Sequence, residues 1–185
     1  ADGRFVITWQ SHNQDGSGWG IYAQRYHADG TPFGGEFRVN ERTGNQQTEV
    51  SVAMANNGDM FFAYQTIDHS DHEAANGGIL GRKFAWNGDT LLGERPIFDQ
   101  HGSGSSSGGF SVSLDSEMRP SISINSNGTA LVTWQDYPNR WDWNDPNIGA
   151  RRIHPDGSLG GAFHVGGGGG APNNQHHNTG AINED

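Results

Sequence analysis

The sequence predicts an all-β chain of three four-stranded antiparallel repeats, each with the outline of a β-propeller blade. Three observations lead there. A motif of Gly, five residues, an aromatic and Gln occurs three times without a gap, at Gly3–Gln10, Gly58–Gln65 and Gly128–Gln135. Apolar residues come in short alternating runs closed by Asn-Gly or Asp-Gly pairs, the pattern of half-buried strands joined by tight turns. With 29 glycines and only 32% hydrophobic residues, no stretch carries the long apolar stripe of a helix. The competing fold is a β-trefoil, also three four-stranded repeats, but a long insertion between the second and third copies fits it poorly.

The strands follow in order within each copy, labelled A to D here. Strand A is the alternating run Val50–Met54, matched by Pro120–Ile124. Asn56-Asn57-Gly58 or Ser126-Asn127-Gly128 then makes the hairpin into strand B, which holds the Gly-to-Gln motif. Strand C is Ile21–Tyr26, Ile79–Phe84 and Ile148–Ile153. Turns with Asp29-Gly30, Asn87-Gly88 and Asp156-Gly157 lead to strand D around Phe37 and Val39, around Ile97, and around Phe163 and Val165. Copy one spans 1–49 and copy two 50–98; a Gly/Ser-rich linker covers 99–117; copy three spans 118–165; a Gly-rich tail with a final strand covers 166–185. Read on into Ala1-Asp2-Gly3, the segment Gly180–Asp185 lies in register with Val50–Gly58. Strand A of copy one is therefore expected from the tail, through pairing with the first strand of the same molecule, of a neighbour, or of a longer array. Three blades are too few to close a ring, and two chains would complete one of six.

The formal charge of −10 with only 11 Lys and Arg, spread along the chain, argues against nucleic acid or anionic lipid as partners. No apolar run reaches the roughly 18 residues of a membrane span, so no membrane insertion is expected. No charged-then-apolar signal pattern opens the sequence. With no cysteine, any staple must be a metal, an assembly contact or packing. Self-association or contact with neighbouring repeats through the terminal strands is the expected partnership.

Aligning the copies aligns their B–C loops, which diverge most and share one rim in any cyclic arrangement. Candidate metal ligands are Asp15 in copy one, Asp68 and Asp71 in copy two, and Asp142 and Asp145 in copy three. Closely spaced carboxylates beside Gly-rich turns supply the oxygen donors calcium takes, although Asp-Gly pairs also form turns with no metal at all. The run Asp68-His69-Ser70-Asp71-His72-Glu73 has zinc-type donors but reads more simply as a solvated loop. Trp19, Tyr137, Trp141 and Trp143 in the same loops are candidate ligand-binding residues, because an aromatic ring beside a carboxylate is a common way to hold a sugar. Trp9, Tyr64 and Trp134, inside the strand-B motif, read instead as blade core. Nothing in spacing selects a catalytic carboxylate pair, and no nucleophile elbow, phosphate loop or His-Glu-x-x-His motif is present.

The run Asp15-Gly16-Ser17-Gly18-Trp19-Gly20-Ile21-Tyr22-Ala23-Gln24-Arg25-Tyr26, with Asp29-Gly30 and Gly34–Asn40, resembles the tandem repeats of large secreted bacterial surface proteins, which often accompany hemolysin-type (RTX) calcium-binding regions. The resemblance implies an extracellular or cell-surface location, a structural, adhesive or assembly role, and one propeller blade per repeat. The Gly-Gly-x-Gly-x-Asp calcium nonapeptide of those regions is absent, so its ligands do not carry over. The expectation is thus a non-enzymatic extracellular module stabilised by calcium. The alternatives are a carbohydrate-binding lectin and part of a secreted glycan-active enzyme.

Overall fold

A computed structural model describes residues 2–67, 78–99, 119–136, 147–165 and 179–183. The described residues contain eleven strands and no helix: β1 Phe5–His12, β2 Trp19–Tyr26, β3 Pro32–Arg38, β4 Gln46–Met54, β5 Met60–Ile67, β6 Gly78–Phe84, β7 Thr90–Asp99, β8 Ser121–Ile124, β9 Ala130–Asp136, β10 Asn147–Ile153 and β11 Leu159–Val165. They form three separate antiparallel sheets, ordered β1-β2-β3, β4-β5-β6-β7 and β8-β9-β10-β11. Hydrogen-bonded pairing stays inside each repeat, which makes the architecture propeller-like and sets aside the trefoil.

The expectation of four strands per repeat holds for the second and third sheets and not for the first. Residues 179–183, which the sequence assigns to strand A of copy one, form no strand ladder. They lie on blade three, where Asn125 Nδ2 donates to the Asn183 carbonyl at 3.3 Å. The outer edge of β1 has no ladder partner among the described residues.

One turn design recurs at the A–B and C–D hairpins and fixes their register. In all five, the chain closes through paired backbone bonds such as Ala55 N to Asp59 O, 2.9 Å, and Gly58 N to Ala55 O, 2.9 Å. An Asn or Asp oxygen accepts the amide two residues on, as in Thr31 N to Asp29 Oδ1 at 2.9 Å and Asp59 N to Asn57 Oδ1 at 3.0 Å. The following glycine sits at positive φ, +91° at Gly58 and +83° at Gly157, where a Cβ would be strained.

Alternation along strand B sends every second side chain to opposite faces of the blade. Met60, Phe62 and Tyr64 are buried towards blade one with Ile21, Ala23 and Val39. Phe61 and Ala63 are buried the other way, with Ile122, Ala130, Val132 and Trp134 of blade three. Tyr64 and Trp134 are core, as expected, whereas Trp9 is only half-buried, because among the described residues no sheet packs on that face of blade one.

Arginines clasp successive blades at equivalent positions. Arg82 Nη1 donates to the Val39 carbonyl and Arg151 Nη1 to the Ile97 carbonyl, both at 2.7 Å. Arg95 Nη1 caps the Gly157 carbonyl at 2.7 Å, and Arg25 reaches the Trp86 carbonyl. Burial holds the Arg25 and Arg151 guanidinium groups below their usual pKa.

Candidate functional site

Within each blade, antiparallel strand direction puts the strand ends that lead into the B–C and D–A connections at one end and the hairpin turns at the other. At the loop end of blade one, Asp15 joins these two connections. Its Oδ1 accepts from Ser17 N at 3.2 Å and its Oδ2 from Asn40 Nδ2 at 3.0 Å. Asn40 is fully buried; its Oδ1 accepts from Ile21 N at 2.8 Å, and its Nδ2 also donates to the Arg42 carbonyl at 2.6 Å and Gln47 Oε1 at 3.2 Å. Gly20 is required beneath this network, since a Cβ there would lie 2.6 Å from Asp15 Oδ2. Both oxygens of Asp15 therefore fasten the loop to the scaffold, and among the described residues no three His, Asp or Glu side chains converge as metal ligands. Burial, with the negative charge of Asp15 second, raises the Tyr22 hydroxyl pKa.

Trp19 stands beside this network, half-buried, in edge contact with His12 at 5.0 Å between ring centroids. The two are register partners at the end of the β1–β2 ladder, so the loop presents an aromatic face on a paired, rigid base. Tyr137, Trp141, Trp143, Asp68, Asp71, Asp142 and Asp145 lie outside the described residues. Trp19 and Asp15 are thus the candidate residues that the structure places, and it places them on the same loop.

A second polar cluster, which the sequence reading missed, lies between blades one and two. Glu94, with a side chain only 3% exposed, accepts from Tyr64 Oη at 2.7 Å, Glu41 N at 2.8 Å and Arg42 N at 3.4 Å on its Oε2. Its Oε1 meets Arg42 Nε at 3.0 Å, and Arg82 Nη2 meets Glu41 Oε1 at 2.9 Å. Burial, then the charge and hydrogen bond of Glu94, push the Tyr64 hydroxyl far above its usual range. With four donors on it, Glu94 acts as a structural pin; it is the acceptor that lets an aromatic with a hydroxyl sit in the blade core.

No family model and no curated protein sequence matches the chain. Among solved structures it is similar to the endo-arabinase from Bacteroides thetaiotaomicron VPI-5482, at TM-score 0.54 and 18% identity over 89% of this chain and 57% of that one. It is also similar to the Penicillium chrysogenum alpha-L-arabinanase complexed with arabinobiose, at TM-score 0.47 and 13% identity over 80% of this chain and 39% of that one. The chain therefore spans less than two thirds of either structure. Arabinanases are five-bladed β-propellers, so the first likeness fixes the fold as propeller-like. It also corrects the functional expectation. The preferred reading, a structural module that is not an enzyme, gives way to the alternative of part of a glycan-active enzyme, because the solved structure this fold resembles is an endo-arabinase.

Proposed function

We propose that this chain is the blade portion of a secreted, glycan-active β-propeller enzyme that binds a polysaccharide across the end where its B–C loops gather. The observation that supports this most is the likeness of the blade arrangement over 89% of the chain to an endo-arabinase. The Trp19–His12 pair at the loop end is consistent with it, since an aromatic face on a rigid ladder stacks on a sugar ring with little ordering cost. Hydrolysis of a glycosidic bond requires one carboxylic acid to protonate the leaving oxygen and one carboxylate to activate water or attack the sugar. Asp15 and Glu94 are occupied as a loop fastener and a blade pin, so the proposal takes the pair from among the other carboxylates of the B–C loops.

Release of reducing ends from a panel of soluble polysaccharides, arabinan among them, tests the reading. Turnover abolished by one Asp→Asn change in these loops, with oligosaccharide binding retained, is the expected result. Binding without turnover on every member of the panel would reduce the chain to a lectin and refute the enzymatic reading.

A further inference from the structure

Of the four residues other than glycine with a left-handed backbone among the described residues, two are asparagines, which tolerate it, and two are Glu49 at φ +50° and Arg119 at φ +34°. Glu49 and Arg119 are repeat equivalents, since Val50 aligns with Pro120; one lies in strand A of blade two and the other just ahead of strand A of blade three. A long side chain is strained in this conformation and keeps it only where the surroundings over-determine it. At Glu49 the surroundings are a bulge. Between the pairs Thr48–Gln65 and Ser51–Ala63, β4 takes one residue more than β5, which re-aims the extra residue. The Glu49 amide donates across the blades to Gln10 Oε1 at 3.2 Å. The last residue of the Gly-to-Gln motif in blade one therefore holds the bulge of blade two.

That bond uses the Glu49 backbone and leaves the side chain free of a structural duty. Glu49 is exposed, and its carboxylate meets no cationic side chain among the described residues. Register shows what it stands beside. Gln10 and His12, two apart on β1, share the face on which Val6 packs against blade two. Trp19 opposes His12 in the ladder and lies on the same face. The start of β4 rests on the B–C loop of blade one, since a Cβ on Gly18 would lie 3.1 Å from the Asn45 carbonyl oxygen and 3.5 Å from Gln46 Cγ. The Trp19–His12 pair and Glu49 thus border one seam, between blades one and two, in its loop-end half.

We infer that Trp19, His12 and Glu49 form one sugar subsite in this seam, and that the sugar it takes is neutral. The inference rests on the glycan-binding reading above and names its substrate class. Trp19 offers a ring face for stacking, and a carboxylate accepts from two hydroxyls at once, so Glu49 fits a pair of neighbouring sugar hydroxyls. A uronate would bring its own carboxylate towards Glu49 in a chain of formal charge −10, where like charges repel. The strained backbone at residue 49 is then the means of aiming a carboxylate out of a regular strand.

Calorimetric titration of the full chain with arabino-, xylo- and manno-oligosaccharides, and with oligogalacturonate as the acidic counterpart, tests this alongside urea unfolding. The wild type is expected to bind at least one neutral oligosaccharide in preference to oligogalacturonate. Glu49→Gln is expected to lose about tenfold or more in affinity at an unchanged urea midpoint. Glu49→Gly is expected to lose as much affinity while its midpoint holds or rises, because glycine relieves the left-handed strain. Neutral-sugar binding that both variants keep overturns the subsite and leaves the glycan reading standing. A preference for oligogalacturonate overturns the substrate class and likewise spares that reading. A midpoint that falls together with affinity in both variants makes Glu49 a prop of the bulge and overturns the subsite too. A wild type that binds none of these probes overturns the glycan reading and the subsite together.

Discussion

Gly149 is the position where packing in blade three leaves least room, and Gly149→Ala gives the sharpest expectation on stability. A Cβ there would lie 2.4 Å from Trp134 Cε2, 2.5 Å from Nε1 and 2.7 Å from Cζ2, all inside contact distance. The indole cannot retreat easily: Trp134 is fully buried and stacks on Phe98 at 5.2 Å between centroids. Gly149 is not among the positive-φ residues, so backbone strain adds nothing and the cost is steric. Overpacking of this kind costs typically about 1–3 kcal/mol. Urea unfolding followed by tryptophan fluorescence is expected to show a lower midpoint at unchanged slope. Trp134→Leu, itself destabilising, is expected to lose most of its cost when Gly149→Ala is already present, because the new methyl enters the space the ring vacates. An unchanged midpoint in Gly149→Ala, or strictly additive effects in the pair, would refute the packing described for this blade.

The other expectations concern the clasps, the polar pin, the turns and the glycan face. Arg151→Gln removes the bond to the Ile97 carbonyl and is expected to cost about 1.5–3 kcal/mol in urea unfolding, whereas an effect below about 0.5 kcal/mol would contradict a clasp between blades. Because the Tyr64 pKa is raised on folding, its stabilising contribution is complete below the ordinary tyrosine value of 10.0 and is lost as pH rises beyond it. Tyr64→Phe is therefore expected to flatten the alkaline limb of stability against pH and to leave the acid limb alone. Hydrogen bonds from Thr31 and Ser158 lower the Asp29 and Asp156 carboxyl pKa values below 3.8, so the turn contacts are present above that value and lost as pH falls through the depressed ones. Amide shifts of Thr31 and Ser158 in an acid titration report this directly.

The repeat was legible because a two-residue period and a positive-φ glycine leave marks in sequence: Gly58, Gly128 and the Asn or Asp beside each turn place the hairpins where they form. The burial of Tyr64 and Trp134 followed from the same register. The Glu94 pin was not legible, because its partners, Tyr64 in β5 and Glu41 and Arg42 in the connection after β3, stand thirty or more residues from it and no local spacing links them. Asp15 illustrates the opposite difficulty. Its Gly-Ser-Gly neighbours are local and visible, whereas the Asn40 amide that meets its second oxygen lies twenty-five residues away. The glycan-active enzyme stood in the sequence only as an alternative for a related reason: the likeness that favours it lies in the arrangement of whole blades, which an 18% identity leaves without a shared motif.

Under the proposed function, ligand is engaged at the end of the blades that carries the B–C connections. Chemical-shift mapping with soluble oligosaccharides, following backbone amides and the Trp19 indole, tests it most directly. Shifts concentrated at the Trp19 indole, His12 and the amides of 13–18 and 40–45 are expected. Shifts concentrated instead at the opposite turns, 55–59, 85–89, 125–129 and 154–158, would contradict it.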